Sequence, residues 1–366
     1  MSIPTWVRQQ LPEADGKLGR KLTVDGEMAS RQNTTFVRCR RPKVSVNISL
    51  SILENDMRVL VIGSSGMVGR KLLARLASDG RISGVPISHL TMFDVNHHDT
   101  PIEAPFATHA LTGDLSNPHQ PVALLADKPD IIFHLAAIVS GEAEQDFDKG
   151  YRINLDGTRF LLEAIRAAAY VPRLVFTSSV AVFGSPLPDP IPDEHHLTPL
   201  TSYGTQKAIC ELLISDYSRK GLVDGISLRF PTICVRPGKP NAAASGFFSG
   251  IIREPLNGLE AQLPVDDEVR HTHASPRSAV GFLLHAAGLD AQHVGNHRAI
   301  TMPGVAATVG EQIAALRRIA GEQVANRIVR KPDLFIQQIV SGWPQRFDTR
   351  KALRLGFRSE QTFDEI

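Results

Sequence analysis

The segment Arg58-Val59-Leu60-Val61-Ile62-Gly63-Ser64-Ser65-Gly66-Met67-Val68-Gly69 constrains the fold more tightly than any other part of the chain. A β-branched run stops at a glycine, and two further glycines follow at intervals of three before an amphipathic stretch begins, so a strand turns sharply into a helix. Each glycine has a task there. Gly63 makes the turn, Gly66 lets the backbone approach a ligand, and Gly69 lets the helix start pack closely on the strand. The free N–H groups at such a helix start face outward at the positive end of its dipole and suit an anion such as a pyrophosphate. Gly63, Gly66, Met67, Val68 and Gly69 are therefore candidate cofactor contacts.

Beyond the loop, strand-like runs alternate with helical patterns. Strands are expected over 58–62, 89–93, 131–135, 173–177 and 225–230, and helices over 68–78, 121–126, 154–169 and 202–219. This alternation predicts a parallel sheet covered by helices on both faces. After Pro231 the pattern loosens into Pro- and Gly-rich loops with helices expected over 278–289 and 309–320. The expected fold is α/β, a Rossmann-type doubly wound parallel sheet (57–235) with a smaller C-terminal α/β region that mainly binds substrate (236–366). A cleft at the carboxyl ends of the strands is the expected site. Residues 1–56 show no sustained periodicity, mix basic clusters with Glu13, Asp15, Asp25 and Glu27, and read as a poorly ordered extension, with Met57 a plausible original start.

Composition narrows the partners. The chain has 366 residues, and 40 Lys and Arg against 38 Asp and Glu leave a charge of +2, too weak a field to gather nucleic acid or an anionic membrane. No uncharged apolar run reaches the roughly 18 residues a membrane span needs. The three cysteines, Cys39, Cys210 and Cys234, match no zinc or redox spacing, which points to a reducing cytoplasm. The expected ligand is a small molecule.

Two further motifs carry chemistry. Phe93-Asp94 ends the second expected strand, where a carboxylate can hold ribose hydroxyls and repel a 2′-phosphate, so Asp94 argues for NAD over NADP. Its distance from the loop exceeds the usual spacing and calls for an extended connector over 79–85. Tyr203 and Lys207 stand four residues apart on one face of the 202–219 helix. A phenol titrates near 10 and becomes a base only when a cation favours its phenolate, which Lys207 can do while also reaching a ribose. Upstream, Thr177-Ser178-Ser179 brings hydroxyls to a strand end, where one can hydrogen-bond the substrate oxygen.

On these motifs the chain resembles the extended short-chain dehydrogenases/reductases, in the NAD-dependent epimerase/dehydratase branch, from Met57 almost to its end. The resemblance implies Ser179, Tyr203 and Lys207 as the catalytic triad and NAD as cofactor. Asp114 and Leu115 of the Gly113-Asp114-Leu115 segment would lie by the adenine, and Ala136 of His134-Leu135-Ala136-Ala137 beside the cofactor. Asn154 would be the family's structural asparagine. The stretches 202–211 and 231–238 resemble members that oxidise the C2 hydroxyl of a four-carbon sugar acid, D-erythronate, to the 2-keto acid. The family also implies a homodimer built on the helices holding Leu161, Leu162, Ile165, Ile209, Leu212 and Leu213, residues that could equally be monomer core.

A sugar acid needs a cation for its carboxylate. Arg270 occupies the position where nucleotide-sugar relatives hold phosphate, and Arg236 is the second candidate. Ser140, with Glu142 beside it, lies where relatives line the cleft, and Ser179 and Tyr203 would also touch substrate. His271 and His273 alternate along an expected strand, but no third ligand completes a metal site, and none is expected. Two other functions remain open: a nucleotide-sugar epimerase or dehydratase using the same triad, and a dinucleotide-sensing regulator without turnover, which would have no need of Tyr203 and Lys207.

Overall fold

The computed structural model describes residues 57–97, 102–238 and 245–366, so the expected extension over 1–56 lies outside the described residues. Strand β1 (Met57–Ile62) runs into helix α1 (Met67–Asp79), and the chain returns through β2 (Arg81–Ile82) into β3 (Val85–Asp94). Next come β4 (Ala107–Thr112), α2 (Gln120–Leu124), β5 (Ile131–His134), the short α3 (Ser140–Gln145) and α4 (Phe147–Gly150), a π-helical turn (Tyr151–Asp156) and α5 (Gly157–Ala168). Strand β6 (Arg173–Ser179), helix α6 (Ser202–Arg219) and β7 (Asp224–Phe230) complete the first part.

Strands β4, β3, β1, β5, β6 and β7 lie side by side in that order, all parallel. The chain leaves β1 toward β3 on one side and comes back to β5 on the other, so the Gly63 loop opens at the point where the strand order reverses, the preferred ligand crevice of such sheets. Alternate residues of one strand feed opposite faces. Val59 and Val61 pack with Leu72, Leu73 and Leu76 of α1, while Leu60 and Ile62 pack with Leu161, Leu162 and Ile165 of α5 and Ile214 of α6. Each such side chain, fully withdrawn from water, contributes roughly 1.5–3 kcal/mol. Leu161, Leu162 and Ile165 are thus monomer core, whereas Leu212 is 65% exposed.

The connector expected over 79–85 is instead a hairpin. Gly80 ends α1 with φ +64, β2 pairs antiparallel with the start of β3, and the turn between them sits on Ser83 (φ 50) and Gly84 (φ 85). The additional residues before Asp94 are spent on this hairpin and on the length of β3.

The remaining elements are β8 (Thr232–Ile233), α7 (Gly246–Leu256), β9 (Ala261–Leu263), β10 (Arg270–Ala274), α8 (Pro276–Ala287), α9 (Ala291–Val294), β11 (Ala299–Thr301) and β12 (Val305–Thr308). After them come α10 (Val309–Ala320), α11 (Glu322–Ala325), β13 (Ile328–Arg330), α12 (Leu334–Ser341) and α13 (Arg350–Arg354). They divide between the two parts of the fold. Strand β11 extends the large sheet beside β7, and Val280, Phe282 and Leu283 of α8 join the α1 side of its core. Strands β12, β10 and β8 form a separate sheet, whose core holds Phe248, Ile251, Ala307, Ile313 and Leu316. Among the described residues no helix is long and apolar enough to cross a membrane.

Candidate active site

The glycine loop has the shape its sequence requires. Gly63 has φ +88, and a Cβ there would stand 2.5 Å from the Ala136 nitrogen. A Cβ on Gly69 would fall 2.3 Å from the Gly63 carbonyl oxygen, whereas one on Gly66 would meet only that oxygen, at 3.4 Å. The loop is therefore pressed against the end of β5 and the start of α1 but open at Gly66. Helix α1 begins there with no side-chain cap and no acidic residue in its first turn, at Met67 and Val68. A tight glycine loop leading into the positive end of a helix that carries no side-chain cap fits a dinucleotide pyrophosphate. Gly69→Ala should push the loop and helix apart and weaken dinucleotide binding at least about tenfold. Protein-fluorescence titration with NADH reads this directly, and unchanged affinity would show that the loop is not the cradle.

At the tip of β3, Asp94 is 8% exposed, and its carboxylate accepts from the Ser65 backbone N–H at 2.9 Å and from the Asn96 N–H at 2.9 Å. It braces the loop while lying at its rim. Asp114 accepts from the Ser116 N–H and hydroxyl and from Arg152 at 3.1 Å. Burial alone would raise its pKa, but these bonds outweigh it and hold the carboxyl below the usual carboxylate range. Leu115 is core rather than surface, packed where a Cβ on Gly157 would touch it.

Tyr203 and Lys207 lie in the first two turns of α6, which Thr201 caps by accepting from the Gly204 N–H at 3.1 Å. Lys207 is 2% exposed, donates to the Thr177 carbonyl at 2.8 Å, and holds its Nζ 4.5 Å from the Phe176 ring centroid and 5.7 Å from that of Tyr203. Burial pushes its pKa down to about 8, against the pull of Cys210 and Glu211. The half-buried Tyr203 phenol is pushed up to about 12 by burial, opposed by a hydrogen bond with the Ser179 hydroxyl and by the charge of Arg236. The serine pair divides by direction. Ser178 is buried and donates to Glu211 Oε1 at 2.5 Å, while Ser179 turns toward the phenol and accepts from the Ala181 N–H at 3.1 Å.

Sequence reasoning passed over what holds this arrangement in place. Glu211, one turn beyond Lys207, takes a fork from Arg229 on β7, Nε to Oε1 at 3.0 Å and Nη2 to Oε2 at 2.8 Å. Arg229 also donates to the Asp193 carbonyl at 2.9 Å and stacks over Phe183 at 4.9 Å. Helix α6 is thereby tied to β6 and β7 by a buried ion pair. The legible signal was a charge at i+4 from Lys207 and an arginine inside an apolar strand. Asn154, in the π-helical turn, accepts from the Ile138 N–H at 2.9 Å and donates to Gln206 Oε1 at 2.7 Å, linking the loop after β5 to α6.

The other candidates separate. Arg270, its side chain 34% exposed, donates to the Ala306 carbonyl at 3.1 Å and pairs with Glu311 at 3.6 Å. Ser140 opens α3, where Glu142 pairs with Lys149 at 2.7 Å. His271 bonds the Pro344 carbonyl and the Thr232 hydroxyl, His273 bonds Gln312, and both rings pack among Phe248, Trp343 and Phe363. Burial lowers His271 to about 4 and His273 well below its usual value. They are neutral packing groups, and among the described residues no cluster of three His, Cys, Asp or Glu could hold a metal.

Residues 59–273 match the model of the NAD dependent epimerase/dehydratase family. The chain belongs to that family. Its members' cofactor is a nicotinamide dinucleotide, which agrees with the cradle at Gly63 to Gly69. Two relatives are both called D-erythronate dehydrogenase. That of Cupriavidus necator is 46% identical over 85% of this chain and 96% of its own. That of Haemophilus influenzae is 42% identical over 85% of this chain and 97% of its own. A crystal structure from Agrobacterium tumefaciens, titled a nucleoside-diphosphate-sugar epimerase, is 59% identical, superposes with a TM-score of 0.83, and covers 85% of this chain and 92% of that one.

Proposed function

We propose that the protein oxidises the C2 hydroxyl of a small sugar acid, D-erythronate, to the 2-keto acid with NAD. The observation that carries this reading is Tyr203, whose phenol meets the Ser179 hydroxyl, stands with its ring 5.7 Å from the Lys207 ammonium and feels the charge of Arg236, on a sheet whose parallel strands β1, β5 and β6 also carry the glycine cradle. The names of the Cupriavidus and Haemophilus relatives, which align over almost their whole lengths, supply the substrate. A bound nicotinamide would supply the acceptor for the C2 hydrogen and its electron pair. Tyr203 takes the hydroxyl proton, Ser179 hydrogen-bonds the developing oxyanion, and Lys207 favours the phenolate and reaches the ribose. Gly63, Gly66, Met67, Val68, Gly69, Asp94, Asp114 and Ala136 form the cofactor side, and Ser140 stands at the substrate side.

The Agrobacterium structure's title supports the second reading, a nucleotide-sugar epimerase with the same triad. The two differ in what accumulates. A dehydrogenase releases one NADH per substrate consumed, so absorbance at the reduced-nicotinamide band should rise with D-erythronate, and a flat trace with a panel of 2-hydroxy acids would sink the first reading. Asp94, facing a 2′-phosphate at close range, should give NAD at least a tenfold advantage over NADP in kcat/KM. An NADP preference would show that Asp94 does not read the ribose.

We further read the protein as a cytoplasmic homodimer. The buried free thiols Cys210 and Cys234 support the first point, and the exposed Leu212 on the outer side of α6 supports the second.

A further inference from the structure

The proposed reaction places a geometric demand on the site that two arginines meet very differently. In a 2-hydroxy acid the carboxylate and the reacting hydroxyl sit on adjacent carbons. The cation that holds the carboxylate must therefore stand beside the base. A nucleotide sugar makes the opposite demand, because its phosphates are several bonds removed from the carbon that reacts.

Arg236 follows β8, a few residues beyond the end of β7, whose Phe230 is in register with Ser179. Its guanidinium is unusually poorly served by the protein. One amino group donates to the Ser245 hydroxyl at 2.8 Å and reaches the Ser245 carbonyl at 3.4 Å, but the Nε atom is buried without a partner. Among the described residues Arg236 makes no ion pair. Its neighbour Arg253 pairs with Glu254 and donates to the Arg236 carbonyl at 2.9 Å, adding positive charge nearby. The backbone is held as well, with the Arg236 N–H donating to the Ser249 hydroxyl at 3.1 Å. A half-buried guanidinium fixed in place without a counter-charge is costly unless a ligand supplies the anion. The charge of Arg236 is also felt by both Tyr203 and His273. Arg270, in contrast, pairs at the far end of β10 with Thr308 in register, and already has Glu311 and Ala306 as partners.

We propose that Arg236, not Arg270, anchors the substrate carboxylate, and that this cation beside Tyr203 selects 2-hydroxy acids over nucleotide sugars. The inference rests on the proposed oxidation at C2 but can be tested without turnover. Enzyme saturated with NADH cannot oxidise the sugar acid, so calorimetry can compare binding of D-erythronate with that of its uncharged primary amide. Wild-type protein should prefer the acid by at least about 30-fold, the effect of one well-placed charge pair. In Arg236→Met that preference should fall to within about threefold, with NADH affinity unchanged. Should the Met variant fail to fold, Arg236→Lys keeps the charge and loses the fork. It should lose about tenfold in acid affinity and less than about threefold in amide affinity. Equal losses for acid and amide, or a preference that survives Arg236→Met and disappears in Arg270→Met, would overturn the assignment. Failure of the C2 oxidation itself would appear separately, as wild-type protein that binds the acid and forms no NADH.

Discussion

Tyr203→Phe should reduce the rate of NADH formation by roughly 10²–10⁴-fold, the usual worth of a positioned proton acceptor. The substitution removes only the phenolic oxygen, and the ring keeps its place at the start of α6, so NADH affinity should stay within about threefold. A phenol held at about 12 by burial keeps its proton at neutral pH. The reaction therefore depends on the groups around it: the Ser179 hydroxyl, the charge of Arg236, and the Lys207 ammonium standing 5.7 Å from its ring centroid. Raising the pH cannot restore an absent oxygen, and the rate of the variant should stay flat from pH 7 to 10. Near wild-type turnover in Tyr203→Phe would mean that another group takes the proton.

Lys207→Met should move activity and stability in opposite directions. The rate should fall at least about tenfold and NAD should bind more weakly, because one ammonium is asked to favour the phenolate and hold a ribose. Raising the pH should partly recover the rate by deprotonating the unassisted phenol. Stability follows from the lowered pKa of the buried amine, about 8 against an ordinary 10.5. The unfolded chain binds that proton more tightly, so folding carries a constant deficit below about pH 8, on the order of 3 kcal/mol, which disappears as the pH rises from about 8 to about 10.5. The Met variant escapes it, offset by loss of the bond to the Thr177 carbonyl. Thermal unfolding without cofactor should show the variant at least as stable as wild type at pH 7, with its relative advantage shrinking toward pH 10. A large destabilisation at pH 7 would mean that Lys207 is chiefly a structural group.

Helices α6 and α10 were legible residue by residue, because a capping Thr precedes each, at 201 and 308, and basic residues stand in the last turn of each, Arg219 in one and Arg317 and Arg318 in the other. The glycine loop, the parallel direction of the central strands and the Tyr203–Lys207 pair were legible in the same way. They depend on spacing within one segment, and local geometry turns spacing into position. Strand β4 was not read, because an edge strand with the sequence Ala107 to Thr112 is mostly exposed and carries no apolar alternation. The β2 hairpin escaped because two paired residues are too few to show a period.

Roles that depend on distant segments meeting were decided only by the folded structure. Residue type alone does not separate Ser178 from Ser179, for which the resemblance implied the second, and the alternation of β6 sends Ser178 to Glu211 and Ser179 to Tyr203. Of the two arginines, the resemblance favoured Arg270 over Arg236, and only the folded structure shows Glu311 beside the first and an unpartnered Nε in the second. His271 and His273 alternate as metal ligands would, yet burial among aromatic rings makes them neutral hydrogen-bonding groups. In each case the sequence determined which chemical groups were present and on which element. Which partner each group met, and therefore its charge and its task, was set by long-range packing that no local period encodes.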